Sequence, residues 1–264
     1  MSDSKYTRQT VLSIKEWVPG RLLSLTTTRD PAFQFTAGQF ARLGLPGASS
    51  GHAAEPDIWR AYSMVNGPQD DTLEFYSIVV PEGEFSPRLA CLRPGDSLYI
   101  DKTAFGFLTP DRFLPGGELW LLATGTGLSA YMSMLQDPKI WSDYDRIFLV
   151  HGVRRVEELA YAEQLRQWEK QPPACAAHGK ATLTYLPIPT QEALPGTPQA
   201  RLTTLLADGR LEALAQCRLD PESSRMMLCG NPQMVTDARK LLSERNFAVG
   251  RRGNPGNLAV ENYW

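Results

Sequence analysis

Arg60-Ala61-Tyr62-Ser63 places a guanidinium, an aromatic ring and a hydroxyl within four positions. On a strand, alternation sets Arg60 and Tyr62 on one face and Ala61 and Ser63 on the other. Arginine pairs with a diphosphate, a tyrosine ring stacks on a flat heterocycle, and a serine hydroxyl bonds a ring nitrogen. The same residues also suit an ordinary strand with an exposed arginine. Further on, Gly83-Glu84-Phe85-Ser86-Pro87-Arg88-Leu89 offers Ser86 as a helix N-cap and Pro87 as the first helical residue. Such a helix start holds a phosphate, here with Arg88 nearby, but caps of this kind also occur with no ligand.

Four more stretches could carry related chemistry. In Glu118 to Leu135 an apolar run, Leu119 to Ala123, leads into Thr124-Gly125-Thr126-Gly127 and then Leu128, Tyr131, Met132 and Leu135 at helical spacing. Strand, glycine loop and helix together present free backbone N–H groups to a phosphate, although the loose G-x-G-x-x-A pattern also marks a simple turn. After Arg146 to His151 come Gly152-Val153-Arg154-Arg155, where an NAD-selective fold places an acidic residue. Two cations there suit the 2′-phosphate of NADP or belong to a solvated helix start, where they are unfavourable without an anion. Cys229-Gly230-Asn231-Pro232 is again strand, turn and helix, with Asn231 as cap; Cys229 is either a small buried residue or the border of a reacting ring. The chain ends on Tyr263-Trp264, two aromatics suited to stacking on a flat ring or to plugging an apolar groove.

These groups must be positioned by elements, and composition limits which. The 264 residues are 42% hydrophobic and 21% charged, a globular balance of one large or two modest domains. A net charge of -2 gives no reason to expect nucleic acid, and no apolar run reaches the roughly 18 residues of a membrane helix. The N-terminus lacks the apolar core of a signal peptide, so a cytoplasmic protein is expected. The four cysteines form no C-x-x-C pair and the three histidines are far apart, so no metal site is expected.

From residue 6 to about 105 the chain reads as about six short β-strands, including Thr10–Ile14, Leu22–Thr28 and Phe33–Thr36, with one short helix near Ser86–Leu92. This predicts an antiparallel β-barrel or sandwich. Residues 106–117 read as a linker. Beyond them strands and helices alternate: a strand at 146–151, a helix over 156–170, a strand at 181–186, a proline-rich loop over 187–199, short helices within 201–216, a strand at 226–229 and a helix from Pro232. That alternation predicts a parallel sheet covered on both faces. The expected division is residues 1–108 and 109–264.

Taken together, these stretches resemble the ferredoxin–NADP(+) reductase family, most closely its bacterial branch. Arg60 to Ser63 looks like the family's R-x-Y-S flavin motif, and Gly83 to Leu89 is similar to its G-x-x-S-P-R-L stretch. Ala123 to Gly127 and Leu228 to Gln233 match the NADP-domain motifs, and Val260 to Trp264 is like the bacterial V-E-x-Y-W terminus. The resemblance implies FAD held mostly by the barrel: Arg60 at the pyrophosphate, Ala61 beside it on the motif strand, Tyr62 stacked on the isoalloxazine and Ser63 near flavin N5. Tyr76, Glu84, Phe85 and Ser86 would complete the site, with Thr126 from across the cleft; Trp264 would cover the opposite flavin face or the adenine, with Tyr263 beside it. Val153, Arg154 and Arg201 would take the 2′-phosphate end of NADP, with Asn231, Pro232, Gln233 and Asp237 along the same nucleotide. The S-R pair that relatives often carry after the third α/β strand is missing: Leu186 to Thr190 holds no arginine.

By the same resemblance, NADPH would give a hydride to flavin N5 and electrons would leave singly to a ferredoxin or flavodoxin. Ser63, Cys229, Glu261 and Trp264 are the expected catalytic positions, Glu261 as a proton relay. Trp264 would have to move for nicotinamide to stack, so its deletion should strengthen NADP(H) binding and lower discrimination against NADH. An acidic carrier needs a basic face, for which Arg88, Arg112, Arg251 and Arg252 are candidates. A monomer is expected. The reductase component of an oxygenase and a non-catalytic NADP-binding sensor are the competing readings; a yellow protein excludes the sensor.

Overall fold

Turn chemistry cuts the first hundred residues into strands too short to bury their apolar faces alone. The computed structural model describes residues 4–47, 55–251 and 254–262. Here β1 (Tyr6–Val18), β2 (Leu22–Thr28), β3 (Phe40–Leu45), β4 (Ile58–Ser63), β5 (Thr72–Ile78) and β6 (Ser97–Asp101) form an antiparallel sheet in the order β4-β3-β6-β1-β2-β5. Its two edges meet where Met64 bridges Phe75 and the Val65 N–H donates to Glu74 O at 2.8 Å, so the sheet closes into a barrel. Val11, Leu25, Leu43, Phe75, Leu98 and Ile100 fill it, and α1 (Ser86–Cys91) lays Leu89 on the same core.

Phe33–Thr36, expected as a strand, is not one. Phe33 and Phe35 are buried in the barrel core, but the backbone here bonds to a side chain instead of a ladder. The Arg29 guanidinium donates to Phe33 O, Pro68 O and Asp70 O, all at 2.7 Å. The expected Ser86 cap is also absent. The helix starts one residue earlier than expected, and the Ser86 hydroxyl accepts from the Val80 N–H at 2.9 Å, tying α1 back to the β5 exit.

A connection without regular structure leads to the second domain. It contains β7 (Glu118–Thr124), α2 (Leu128–Met134), α3 (Pro138–Asp143), β8 (Arg146–Val153), α4 (Ala162–Lys170), β9 (Thr182–Pro189), α5 (Leu202–Ala207), α6 (Arg210–Ala215), β10 (Ser224–Gly230), α7 (Pro232–Ser243), β11 (Val249–Arg251), β12 (Asn254–Gly256) and β13 (Leu258–Asn262). The sheet order is β12-β11-β13-β10-β7-β8-β9, with every pair parallel except β11–β12. Alternation along β7 sends Leu119, Leu121 and Ala123 to one face, under α2 to α4, and Trp120 and Leu122 to the other, under α5 to α7.

Three expectations change here. The helix over 156–170 is broken: Val156–Glu158 is a single 3-10 turn and α4 starts only at Ala162, because Tyr161 sits in the left-handed region at φ 60°. Strand β9 runs through Pro187 and Pro189, read above as loop, because it is the sheet's edge and those prolines have a free side. Residues 258–262, for which no strand is predicted above, form a parallel strand beside β10.

The two domains share a core. Val18, Leu22 and Tyr76 of the barrel pack in one cluster with Leu121, Leu128 and Tyr161. Polar contacts cross the same boundary: Tyr161 Oη donates to Glu74 Oε1 at 2.7 Å, Ser133 Oγ to Asn66 O at 2.8 Å, and Arg21 Nη2 to Glu158 Oε1 at 2.7 Å.

Candidate functional site

In a doubly wound sheet the crevice opens where strand order reverses, beyond the carboxyl ends of the two strands that flank the reversal. Strands β7 and β10 flank it in this sheet. Their exits are locked together: the Asn231 N–H donates to Thr124 Oγ1 at 2.9 Å, and Gly127 lies against Cys229, where an added Cβ would stand 2.5 Å from the carbonyl oxygen. Gly125 is left-handed at φ 55°, with nothing within 4 Å of where its Cβ would be, so the loop offers bare backbone to open space. Asn231 caps α7 as expected, its Oδ1 accepting from the Gln233 and Met234 N–H groups at 2.9 and 3.2 Å, with Pro232 as first helical residue.

A cavity of about 460 Å³ lies over these exits. Thr126, Val153, Arg154, Arg201, Asn231, Gln233 and Asp237 line it, so seven of the predicted nucleotide and flavin contacts are brought together. Pro232, at the start of α7, is not among its lining residues. The barrel supplies the opposite wall with Val18, Arg21, Leu22 and Ile78.

Charge inside this cleft is sorted. Glu158 turns back on the chain: its Oε2 accepts from the Arg154 N–H at 2.8 Å and its Oε1 pairs with Arg21. Asp237 accepts from Gln233 Nε2 at 2.8 Å. Among the described residues, the exposed guanidinium groups of Arg154 and Arg201 pair with no carboxylate. Cations without counter-ions at the exit of β8 are what an anionic ligand needs.

On the barrel, Arg60 and Ala61 are exposed and Tyr62 is half-buried, while Ser63 is buried at the strand end. The Tyr62 ring lies 5.7 Å from that of Phe85, and its hydroxyl is 3.2 Å from Ser77 Oγ; burial pushes its pKa up. Arg60 Nη1 donates to Trp59 O at 2.8 Å. Phe85 and Ser86 are buried and Glu84 is exposed. Tyr76 sits deeper, in the interdomain core edge-on to Tyr161, and its buried hydroxyl has no hydrogen-bond partner among the described residues.

Cys229 is fully buried on the face of β10 that packs under α2. In register beside it, Glu261 is half-buried and accepts from the Phe107 N–H; burial raises its pKa to about 7. Tyr263, Trp264 and Arg252 lie outside the described residues. Arg251 is exposed, whereas Arg88 and Arg112 are half-buried, and Arg88 donates to Pro46 O at 3.4 Å.

Sequence reasoning missed Arg21, which reaches the cleft from the barrel, and Thr190, whose hydroxyl donates to Val153 O at 3.0 Å. Pro19-Gly20 marks a turn before Arg21, but nothing in sequence says which residue a turn faces in another domain. Thr190 follows two prolines just past the end of β9, and nothing in its local sequence marks a cleft residue.

A closed barrel joined through a shared core to a doubly wound domain, with a glycine loop and two exposed arginines lining the cleft between, defines a dinucleotide-dependent oxidoreductase. Residues 121–240 match the profile of the family described as the oxidoreductase NAD-binding domain. The chain is 39% identical to ferredoxin–NADP reductase A of Sorangium cellulosum, over 97% of this chain and 89% of that one. It is 38% identical to the flavodoxin/ferredoxin–NADP reductase of Escherichia coli K12, over 96% and 97%. A ferredoxin–NADP+ reductase of Neisseria gonorrhoeae, solved with bound FAD and NADP, superposes with a TM-score of 0.89 at 33% identity, covering 99% of this chain and all of that one. The chain belongs to the ferredoxin–NADP reductase family.

Proposed function

We propose that this protein moves electrons between NADP(H) and a one-electron carrier, ferredoxin or flavodoxin, through a bound FAD. The observation that carries this reading is the pair Arg154 and Arg201: paired with no carboxylate among the described residues, they line the same cleft as the bare glycine loop, which fits a 2′-phosphorylated dinucleotide. FAD, when bound, supplies the chemistry that joins a hydride donor to a one-electron carrier. The residues fit it: the Tyr62 ring, held between Phe85 and Ser77, offers an aromatic face beside the exposed Arg60.

Residues 1–108 then hold FAD and 109–264 hold NADP(H). Arg60 and Ala61 meet the pyrophosphate, with Glu84, Phe85 and Ser86 around it. Tyr62 and Ser63 face the ring system, Tyr76 backs it from the core, and Thr126 reaches it from across the cleft. Tyr263 and Trp264 cover its far side. Val153, Arg154 and Arg201 bind the 2′-phosphate end, and Asn231, Pro232, Gln233 and Asp237 line the rest of the nucleotide. Cys229 walls the reacting end. Glu261, whose pKa near 7 keeps a proton available at neutral pH, acts as the relay. The reading takes the protein to work as a cytoplasmic monomer. It is tested by releasing and identifying the flavin of the purified chain, then following NADPH-driven reduction of a ferredoxin and a flavodoxin. A colourless protein that takes up no FAD contradicts it.

A further inference from the structure

His151 interrupts a run of apolar residues. On β8 its neighbours Ile147, Phe148, Leu149 and Val150 are core side chains, and His151 is equally buried. Imidazole in such a place is costly unless both nitrogens are bonded. Both are. Nε2 lies 3.1 Å from Gly125 O, and Nδ1 lies 3.5 Å from Tyr185 Oη. A carbonyl oxygen only accepts, so Nε2 carries the hydrogen, Nδ1 keeps its lone pair, and the Tyr185 hydroxyl donates to it. Burial pushes the His151 pKa down to about 4, which keeps the ring neutral and in that tautomer near neutral pH.

Gly125 O also accepts from the Leu128 N–H, so its two lone pairs are held from two sides. The peptide that follows is planar and trans, which points its N–H, that of Thr126, opposite to this carbonyl. With the carbonyl drawn toward His151 under the loop, the Thr126 N–H is turned to the cleft that Thr126 lines. Gly125, left-handed and without a side chain, does little by itself to stop this peptide from turning over.

We propose that His151 is a positioning residue for the dinucleotide: by holding Gly125 O beneath the loop it aims the Thr126 N–H at an acceptor oxygen of bound NADP(H). This rests on the reading of function given above. The test uses the full flavin-loaded chain, with NADP+ binding measured by calorimetry and NADPH turnover measured with an artificial acceptor. His151→Phe keeps the ring shape without the donor. It should weaken NADP+ binding and raise KM for NADPH about tenfold, with kcat changed less than about twofold. His151→Gln keeps a donor where Nε2 stood, and it should stay within about threefold of the parent. Should His151→Phe fail to fold, His151→Asn, whose shorter amide cannot reach Gly125 O, takes its place with the same expectation. Parent-like NADP+ affinity in the donor-less variant overturns the inference alone, as does a Gln variant as impaired as Phe. A parent chain that binds no NADP+ overturns the functional reading as well.

Discussion

In the proposed function, nucleotide choice turns on Arg154 and Arg201, which line the cleft. A charge-assisted bond to phosphate is worth about 1.5–3 kcal/mol, so removing either guanidinium should raise KM for NADPH at least about tenfold. NADH has no 2′-phosphate, and its KM should stay near that of the parent; equal losses with both nucleotides would show that these arginines do not read the phosphate. Glu261 gives a second test at this scale. Its carboxyl ionises near its ordinary value of 4.5 in the unfolded chain but near 7 when folded. Between these values the folded state holds the proton more tightly, so the stability owed to that proton is complete below about 4.5 and lost as pH rises through about 7. Glu261→Gln cannot ionise. The thermal midpoint of the variant minus that of the parent should therefore climb across this window and level off above it; a flat difference would place Glu261 in a solvated setting. Arg154 was legible in sequence from its place after a strand and Arg201 only through the family resemblance, whereas the raised pKa of Glu261 was not, because it comes from burial.

The element that most depends on exact backbone fit is the glycine loop after β7. Gly125 and Gly127 differ in what a side chain would meet. Gly125→Ala faces open space and pays for its left-handed backbone, about 1 kcal/mol, while intruding on the cleft. Gly127→Ala sets a methyl against the backbone of Cys229 and Gly230, which must shift and loosen the bond between Asn231 and Thr124. Overpacking of this kind costs about 1–3 kcal/mol, so urea denaturation should find Gly127→Ala the less stable of the two. The reverse order would mean that the strand exits are not packed on each other. This unit was readable because an apolar run, two glycines and a 3.6-residue period follow in order. Strand β13 was not, because Gly253, Asn254 and Gly256 just before it read as loop and its own five residues end in Glu261 and Asn262. Left-handed Tyr161, which stops one helix and starts another, carries no local signal at all: an aromatic residue there is held by packing against Trp17 and Tyr76.

At the scale of the molecule, the barrel and the sheet domain are joined by apolar packing and by bonds such as Tyr161 to Glu74, 87 residues apart in sequence. A boundary between domains could be read from the change of period near residue 106, but contacts across it could not, since pairing over such separations leaves no trace in local pattern. The shared core predicts one unfolding transition, with tryptophan fluorescence and far-ultraviolet dichroism superimposing; two separated transitions would mean that the domains are independent. Tyr161→Phe leaves Glu74 without this donor and should lower the common transition by about 1–3 kcal/mol. The central claim is that the cleft delivers NADPH to a flavin lying between the domains. Rapid anaerobic mixing of the flavin-loaded protein with NADPH or NADH, followed in the visible flavin band, tests it most directly. The account predicts fast bleaching by NADPH and much slower bleaching by NADH; a band that NADPH leaves unchanged would contradict it.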